Sequence, residues 1–380
     1  MHRALVVFAF ALLAPTGAAA QSSQFGARGL GMPGRPIDTR TFALGGGYAL
    51  FDGESGVNPA ALGTVSAVTA DFTALQDFRT VENPAGDASV RETRFPHFAI
   101  AGPVRQSPAV LGISFSNYTS KDFTLASADS VILRGVLVPT SDTLGSRGGL
   151  SDLRFAAAYR IQSAWMIGAG FHLITGTNRL RFNRSFADTT YRPATQQTEL
   201  SFSGVGVDVG VIRNFGQGFS VAATARSDGH VSVDRDSIPT PATIDLPYSF
   251  GFGLRWRLQP RIEVASQVQY ETWSGANSDL IAAGGIGSDD TYEVSFGAEF
   301  TPSLRHPTRP PLRLGVRYGT LPFLLEPGEQ PSEFGISAGT GFRFGQGRAG
   351  LDLGLEHVWR AAGAFSERAF LLSLGVTVRP

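Results

Sequence analysis

Histidine and cysteine are the residues that most often bind metals, and neither is arranged to do so in this sequence. Zinc sites usually place two ligands within a few residues of each other, and no two histidines are spaced in that way. The six histidines are His2, His97, His172, His230, His306 and His357. Cysteine is absent, so thiolate ligands and disulfides are excluded. We therefore predict no metal site and no cofactor.

Serine and aspartate are abundant, but the sequence contains no signature of a catalytic nucleophile. No motif places a serine together with a histidine and a carboxylate. The glycine-rich stretch 283–290 is no phosphate loop, because it lacks the Lys-Ser/Thr pair and the helix that follow such a loop. We interpret it as an exposed loop, with cation binding through Asp289 and Asp290 as the alternative. The sequence thus predicts no catalytic residues and no enzymatic activity.

Composition narrows the class of protein. Basic and acidic residues number 32 each, so nothing favours nucleic acid as a partner. Charged residues make up only 17% of the chain, which contains 46 glycines and 28 phenylalanines. The mean hydropathy is near zero. A membrane barrel has this property because lipid-facing and lumen-facing residues alternate along each strand.

Residues 1–20 have the features of a secretory signal peptide. His2 and Arg3 precede an apolar run over residues 4–14, and Ala18-Ala19-Ala20 provides a cleavage site. The run is too short to span a bilayer as a helix, which needs roughly 20 apolar residues. A buried N-terminal strand or helix is the alternative. We predict an exported protein that loses residues 1–20.

Strand-like alternation recurs from about residue 65 onward. In residues 248–258, one parity is occupied by Tyr248, Phe250, Phe252, Leu254, Trp256 and Leu258, and the other by small or cationic residues. Successive side chains of a strand point to opposite faces, so one face of this segment is wholly apolar. Fourteen segments follow such a pattern, at about 65–76, 93–102, 109–120, 150–160, 163–175, 199–214, 218–228, 247–258, 261–273, 291–301, 311–320, 333–344, 347–359 and 366–379.

The links between these segments alternate in length. Tight links at 161–162, 216–217, 259–260 and 346 are separated by long polar links at about 121–149, 176–198, 229–246 and 274–290. Membrane barrels have short periplasmic turns and long outer loops. The predicted fold class is therefore all-β, a transmembrane antiparallel β-barrel of about 14 strands in outer-membrane lipid. A soluble propeller or pair of sandwiches is the alternative, although their strands are shorter, near five or six residues.

Charged side chains recur on the strand face opposite the apolar one, and this face would line the lumen. The luminal candidates carry both signs of charge and are Arg154, Arg255, Glu263, Arg317 and Glu356. They form either paired struts that brace the barrel or a polar route for solutes. Aromatic residues near strand ends are expected to form interfacial girdles, namely Trp165, Trp256, Trp273, Trp359, Tyr159, Tyr248 and Tyr270.

Residues 21–63 do not alternate, and they are too apolar for a solvated tail. We interpret them as a hatch that folds back into the lumen of a barrel over residues 64–380, where irregular backbone is tolerated. A disordered periplasmic tail is the alternative. Asn58-Pro59-Ala60 directly precedes the first strand. Pro59 fixes its own φ and Asn58 can hydrogen-bond local backbone, so this tripeptide predicts a rigid turn.

The small-residue run of residues 43–62, Asp52, and Asn58-Pro59-Ala60 before a chain of fourteen strands resemble the N-terminal hatch of the FadL family. This family of outer-membrane transporters includes channels for long-chain fatty acids and aromatic hydrocarbons, with PorV-type barrels of a secretion system as relatives. Gly56-Val57 stands where family members often carry an aromatic residue before the asparagine, and the chain ends in Val378-Arg379-Pro380 instead of a terminal aromatic.

The resemblance implies passive uptake of hydrophobic compounds such as long-chain fatty acids, gated by a hatch that includes Asp52, Asn58, Pro59 and Ala60. The expected partners are outer-membrane lipid, a hydrophobic small-molecule ligand and the outer-membrane assembly machinery. The alternative is a PorV-like barrel that receives or tethers exported proteins. A barrel enzyme such as a lipase or protease is a third reading, which the missing catalytic constellation disfavours.

Overall fold

The computed structural model describes residues 23–83, 86–162, 164–216, 218–236, 238–303 and 309–380. The expected signal peptide, residues 1–20, lies outside them. The two α-helices are short, α1 (Thr39–Ala43) and α2 (Asn277–Ala282). The strands are β1 (Met32–Pro33), β2 (Thr69–Asn83), β3 (Gly86–Pro103), β4 (Ala109–Ser120), β5 (Phe123–Leu133), β6 (Val136–Ile161), β7 (Trp165–Phe186), β8 (Ala194–Asn214), β9 (Phe219–Ser227), β10 (His230–Arg235), β11 (Ile238–Asp245), β12 (Tyr248–Gln259), β13 (Ile262–Glu271), β14 (Thr291–Phe300), β15 (Leu312–Thr320), β16 (Ser332–Phe344), β17 (Ala349–Ala362) and β18 (Phe365–Val378).

Fourteen of these strands form a closed antiparallel ring, which confirms the predicted barrel. The ring runs β2-β3-β4-β6-β7-β8-β9 and continues through β12 to β18. Pairing of β9 with β12 and of β18 with β2 closes it. Every strand of the ring therefore has two neighbouring strands, and the sheet has no edge strand, as a sheet in lipid requires. Each of the fourteen segments expected from the sequence corresponds to one strand of this ring.

The outward face of the ring is an apolar belt. On β12, Phe250, Phe252 and Leu254 are 50%, 51% and 39% exposed, while Arg255 and Gly253 of the opposite parity face inward. Large exposed apolar side chains recur on the neighbouring strands, and such a surface is stable only against lipid. Trp273 departs from the expected aromatic girdle. It is 2% exposed and packs edge-on against Phe323 in an interior cluster, because it follows the end of β13 and turns inward.

The two ends of the barrel differ. One end carries turns such as 104–108, 260–261 and 345–348, together with the start of β2 and the end of β18. Short turns and strand termini mark the periplasmic end of an outer-membrane barrel, so we call this the periplasmic end. One link at this end is not short, namely the Pro-rich link between β14 and β15. No helix among the described residues is long and apolar enough to cross a membrane.

At the opposite end, several links expected to be irregular are strands. β6, β7 and β8 contain 26, 22 and 21 residues, so they continue well beyond a bilayer. The hairpin of β5 with β6 and the pair β10–β11 extend the same sheet. On β8 the outward side chains change from apolar Val205 to polar Ser203, and the unbroken β7–β8 register shows that this change is no bulge. It marks the place where β8 leaves the lipid and its outward face becomes polar.

Residues 23–68 lie against the inward face of the wall. Leu44, Leu50 and Ala60 are fully buried. The wall has small residues where this segment approaches it. A Cβ on Gly315 would lie 2.1 Å from the amide nitrogen of Gly45, and one on Gly168 would lie 2.4 Å from the carbonyl carbon of Pro59. Glycine at these wall positions is therefore required for the close approach of the luminal segment.

Candidate luminal site

The luminal segment, residues 23–64, is built around one short helix and one turn. Asp38 caps α1 and accepts a hydrogen bond from the amide of Arg40 at 2.9 Å. The same carboxyl group accepts the hydroxyl hydrogen bond of Ser55 at 2.9 Å. This contact ties the beginning of α1 to the chain that leads into the Asn58 turn. The segment is therefore internally cross-linked before it meets the wall.

Asn58, Pro59 and Ala60 form the expected turn. Asn58 is the cap of a 3-10 turn over Pro59–Thr64, and its side-chain oxygen accepts from the amide of Ala60 at 3.0 Å. Its side-chain nitrogen donates to the carbonyl of Leu50 at 2.8 Å. The Asn58 side chain also abuts Gly210 of β8, where a Cβ would lie 1.9 Å from its oxygen. One buried amide therefore joins two parts of the luminal segment and sets their distance from the wall.

Asp52 belongs to an ion-pair chain that reaches the wall. Arg40 donates to Asp52 at 3.0 Å and to both carboxylate oxygens of Glu299 on β14, each at 3.0 Å. Arg313 on β15 also donates to Glu299, at 2.7 Å. A guanidinium that binds one carboxylate in this two-pronged way is held in a defined orientation. Arg40 is consequently the electrostatic link between the luminal segment and the barrel, and the sequence analysis did not single it out.

Three of the five luminal candidates lie in buried ion-pair networks. Arg317 donates to Glu356 at 2.6 Å and also binds Glu333. Arg154 donates to Asp208 at 2.5 Å. All of these side chains are on inward-facing positions of the wall and are 7% exposed or less. Buried charges of this kind are retained when they are paired, so these residues act as cross-strand struts.

Arg255 and Glu263 are placed differently, near the periplasmic end. Arg255 donates to the hydroxyl of Ser220 at 3.2 Å, and its guanidinium lies 5.2 Å from the ring centre of Phe51. Glu263 binds Arg257 at 3.0 Å across the β12–β13 turn. Among the described residues, no ion pair includes Arg255. The five candidates therefore share the lumen but do not form one site.

Two cavities lie beside the luminal segment, with volumes of about 170 and 130 Å³. Arg35 and Ile37 line both. The larger cavity also contacts apolar Phe42 and the wall residues Arg79 and Arg94. Neither arginine was among the luminal candidates: Arg79 lies between the predicted segments 65–76 and 93–102, and the second segment, which contains Arg94, has weak alternation. The available signal was the regular parity of charge in β2 and β3, seen at Asp77 with Arg79 and at Glu92 with Arg94.

The wall next to the larger cavity is interrupted on one side. β3 pairs with β4 only from His97 to Pro103. Within the described residues, the part of β3 before His97 pairs with β2 alone, because β4 turns toward β6 and β1. A bulge opposite Thr73 and Leu75 bends β3 at this point. Pro96, which lies in the bulge and has no amide hydrogen to donate, lines the cavity.

Asp38 has an altered acidity. Burial, and to a smaller extent the nearby carboxylates of Asp52 and Glu54, raise the pKa of its carboxyl group to about 7. Hydrogen bonds from Thr41 and Ser55 oppose this shift. Near neutral pH, Asp38 is therefore poised between its neutral and charged forms. No group of three or more metal-binding side chains occurs within the described residues.

Several solved structures are similar to this fold. A Pseudomonas aeruginosa FadL homologue matches with a TM-score of 0.62 and 10% identity over 91% of this chain and 99% of that chain. The Ralstonia pickettii toluene transporter TbuX gives 0.58 and 14%, over 91% and 98% of the two chains. The P. putida toluene transporter TodX gives 0.58 and 12%, over 91% and 99%. A search of curated proteins gave no match.

These likenesses confirm the predicted FadL-type barrel fold, and the apolar outward belt of this fold agrees with the predicted outer-membrane location. They agree with the expectation of a non-enzyme, because the similar structures are transporters. The resemblance to PorV-like barrels stays a prediction. A family model described as BamG matches residues 1–217. Since this match covers more than half of the 380 residues, the chain belongs to the BamG family.

Proposed function

We propose that the protein is an outer-membrane channel for passive uptake of hydrophobic compounds such as long-chain fatty acids or alkylbenzenes. The observation that carries the proposal is the larger luminal cavity beside the interrupted β3–β4 wall. Its lining includes Ile37, Phe42, Leu75, Pro96 and Leu371, so an apolar molecule finds contacts on both the luminal segment and the wall. The toluene transporters TbuX and TodX share this fold.

In this proposal the luminal segment is the hatch, and Asn58, Pro59, Ala60 and Asp52 hold it in place. A ligand in the cavity touches Ile37 and Phe42, which flank the capping residue of α1. Ligand binding can therefore shift the same segment that the Asn58 turn anchors. Exit is sideways, through the stretch where β3 lacks a second partner, or toward the periplasm. The arginines that share the lining are paired with carboxylates and brace the wall.

Replacing Asn58 and Pro59 with alanine tests the gating role. The double variant loses two buried hydrogen bonds, each contributing about 1 kcal/mol net, and the fixed φ of Pro59. We expect uptake of labelled fatty acid or alkylbenzene to change at least several-fold relative to the wild type in a deletion strain. The matched control is Asn183→Ala, which removes an asparagine from the exposed end of β7. Normal uptake with a hatch shown to be loosened by proteolysis would contradict gating.

A role in receiving exported proteins is the second candidate. The observation that favours it is the sheet of β5, β6, β7, β8, β10 and β11, which projects beyond the membrane. Uptake channels need no such platform, whereas a partner protein could bind it. If a deletion strain takes up every tested hydrophobic compound normally and partner proteins co-purify with the chain, this second function replaces the first.

A further inference from the structure

The periplasmic end contains a third and much larger cavity, which we call the arginine vestibule. Its volume is about 630 Å³, and the wall and the luminal segment both contribute to it. Six arginines line it, together with the acidic residues Asp52, Glu54 and Glu299; the arginines are Arg40, Arg255, Arg309, Arg313, Arg343 and Arg379. Arg35 and Ile37, which line both smaller cavities, do not line this one.

Most of these arginines form ion pairs with carboxylates of the chain itself. Arg40 and Arg313 share Glu299, while Arg343 binds Asp352 at 2.8 Å. Arg379 binds Glu54 at 2.7 Å.

Arg255 and Arg309 are the exceptions, since no ion pair of the described residues includes either. Arg255 is half-buried inside the barrel mouth, and Arg309 is exposed at its rim. Two cations of one cavity therefore have no ion-pair partner among the described residues.

The rim of the vestibule is basic. The described residues of the periplasmic turns, which include 104–108, 260–261, 309–311 and 345–348, contain no aspartate or glutamate, and neither do residues 379–380. Arg105, Arg261, Arg309, Arg348 and Arg379 lie in them. A concave surface of one charge sign concentrates ligands of the opposite sign. The turns and the cavity together produce a positive field directed toward the periplasm.

We propose that the arginine vestibule binds a carboxylate-rich peptide segment of a periplasmic protein. The ligand's carboxylates would pair with Arg255 and Arg309, for which the described part of the chain supplies no acidic partner. Anionic phospholipid is the less suitable occupant, because the cavity lies inside the ring of strands and Arg255 points to the lumen, away from the lipid-facing parity of Trp256. A peptide can enter the mouth from the periplasm without leaving water.

Binding of a fluorescent hexaglutamate peptide to the purified full-length protein in detergent tests the site. We expect hexaglutamate to bind and hexalysine not to bind, with an affinity that falls as salt is raised. Arg255→Gln combined with Arg309→Gln should weaken hexaglutamate binding on the order of ten-fold, because two charge pairs are lost. Arg255→Lys with Arg309→Lys keeps the charge and should retain most of the affinity.

The matched control is Arg134→Gln with Arg192→Gln, which removes two exposed arginines from the opposite end of the barrel. Every variant is first checked for the folded barrel by heat-modifiable gel migration. Equal loss of binding in the control, or unchanged binding in the Arg255 and Arg309 glutamine variant, would overturn the proposal. So would Arg255-dependent binding of short-chain phosphatidylglycerol without any binding of hexaglutamate, since the ligand would then be a lipid headgroup.

Discussion

Asp38 is a single carboxyl group whose protonation can make the packing of the luminal segment, our proposed hatch, depend on pH. Its pKa is raised to about 7 in the folded protein, from 3.8. The folded state therefore binds the proton more tightly than the unfolded chain, and acidic pH favours the seated hatch. The stabilisation that protonated Asp38 contributes is complete below about pH 4, and it is lost as the pH rises through about 7. Above that pH, Asp38 adds a third negative charge beside Asp52 and Glu54, with Asp71 of β2 facing the group.

We expect the hatch to be more protected from protease at pH 5.5 than at pH 8, within the roughly 4–7 window of proton linkage. Asp38→Asn keeps an oxygen that can accept from the amide of Arg40 and cannot ionise. This variant should show the same protection at both pH values. Ser55→Ala is the control, because it removes one hydrogen bond to Asp38 and leaves the ionisable group. An unchanged pH dependence in Asp38→Asn would assign the effect to another residue.

At the scale of the elements, the luminal segment packs closely against the strands because glycines occupy the wall positions nearest to it. Gly315 of β15 faces Gly45, and a Cβ there would overlap backbone atoms that cannot rotate away. We expect Gly315→Ala to destabilise the seated hatch by about 1–3 kcal/mol, as overpacking of a tight contact does. Hydrogen exchange of amides in residues 39–52 should accelerate accordingly, on the order of ten-fold or more.

Gly145 of β6 provides the matched control for this substitution. A Cβ at Gly145 would have its nearest neighbour 3.9 Å away, and the backbone there has no positive φ. Gly145→Ala should therefore leave the exchange of hatch amides unchanged. If Gly315→Ala and Gly145→Ala behave alike, close packing against the wall does not hold the hatch.

The elements also show what could be predicted from the sequence. The alternation of apolar and polar residues revealed β12 and the other ring strands, because one face of each strand contacts lipid and the other faces the lumen. The same reasoning missed residues 77–92 and most of 121–149, which are strands beyond the lipid. Water contacts the outward face of these parts of the strands. The outward positions of β2 there are therefore occupied by polar Thr80 and Glu82 instead of apolar residues. Arg40 and Glu299 are 259 positions apart, and no local pattern shows that the closed ring brings them together.

At the scale of the whole molecule, the apolar belt makes lipid a structural partner. Phe252 lies near the middle of β12 on the outward face and is 51% exposed, while Leu258 lies at the periplasmic end of the same strand and is 47% exposed. An arginine in a barrel's lipid face costs about 2–4 kcal/mol at the bilayer midplane and roughly 0–1 near the interface. Phe252→Arg should therefore destabilise the folded barrel strongly, and Leu258→Arg only slightly.

Equilibrium unfolding by guanidinium in lipid vesicles measures this difference. Because the two side chains have similar exposure and lie on one strand, a barrel in water would lose little stability from either substitution. The expected dependence on depth thus comes from the bilayer alone. Equal stability of the two variants would show that lipid does not cover β12, and both the membrane-spanning ring and the uptake proposal would then be wrong.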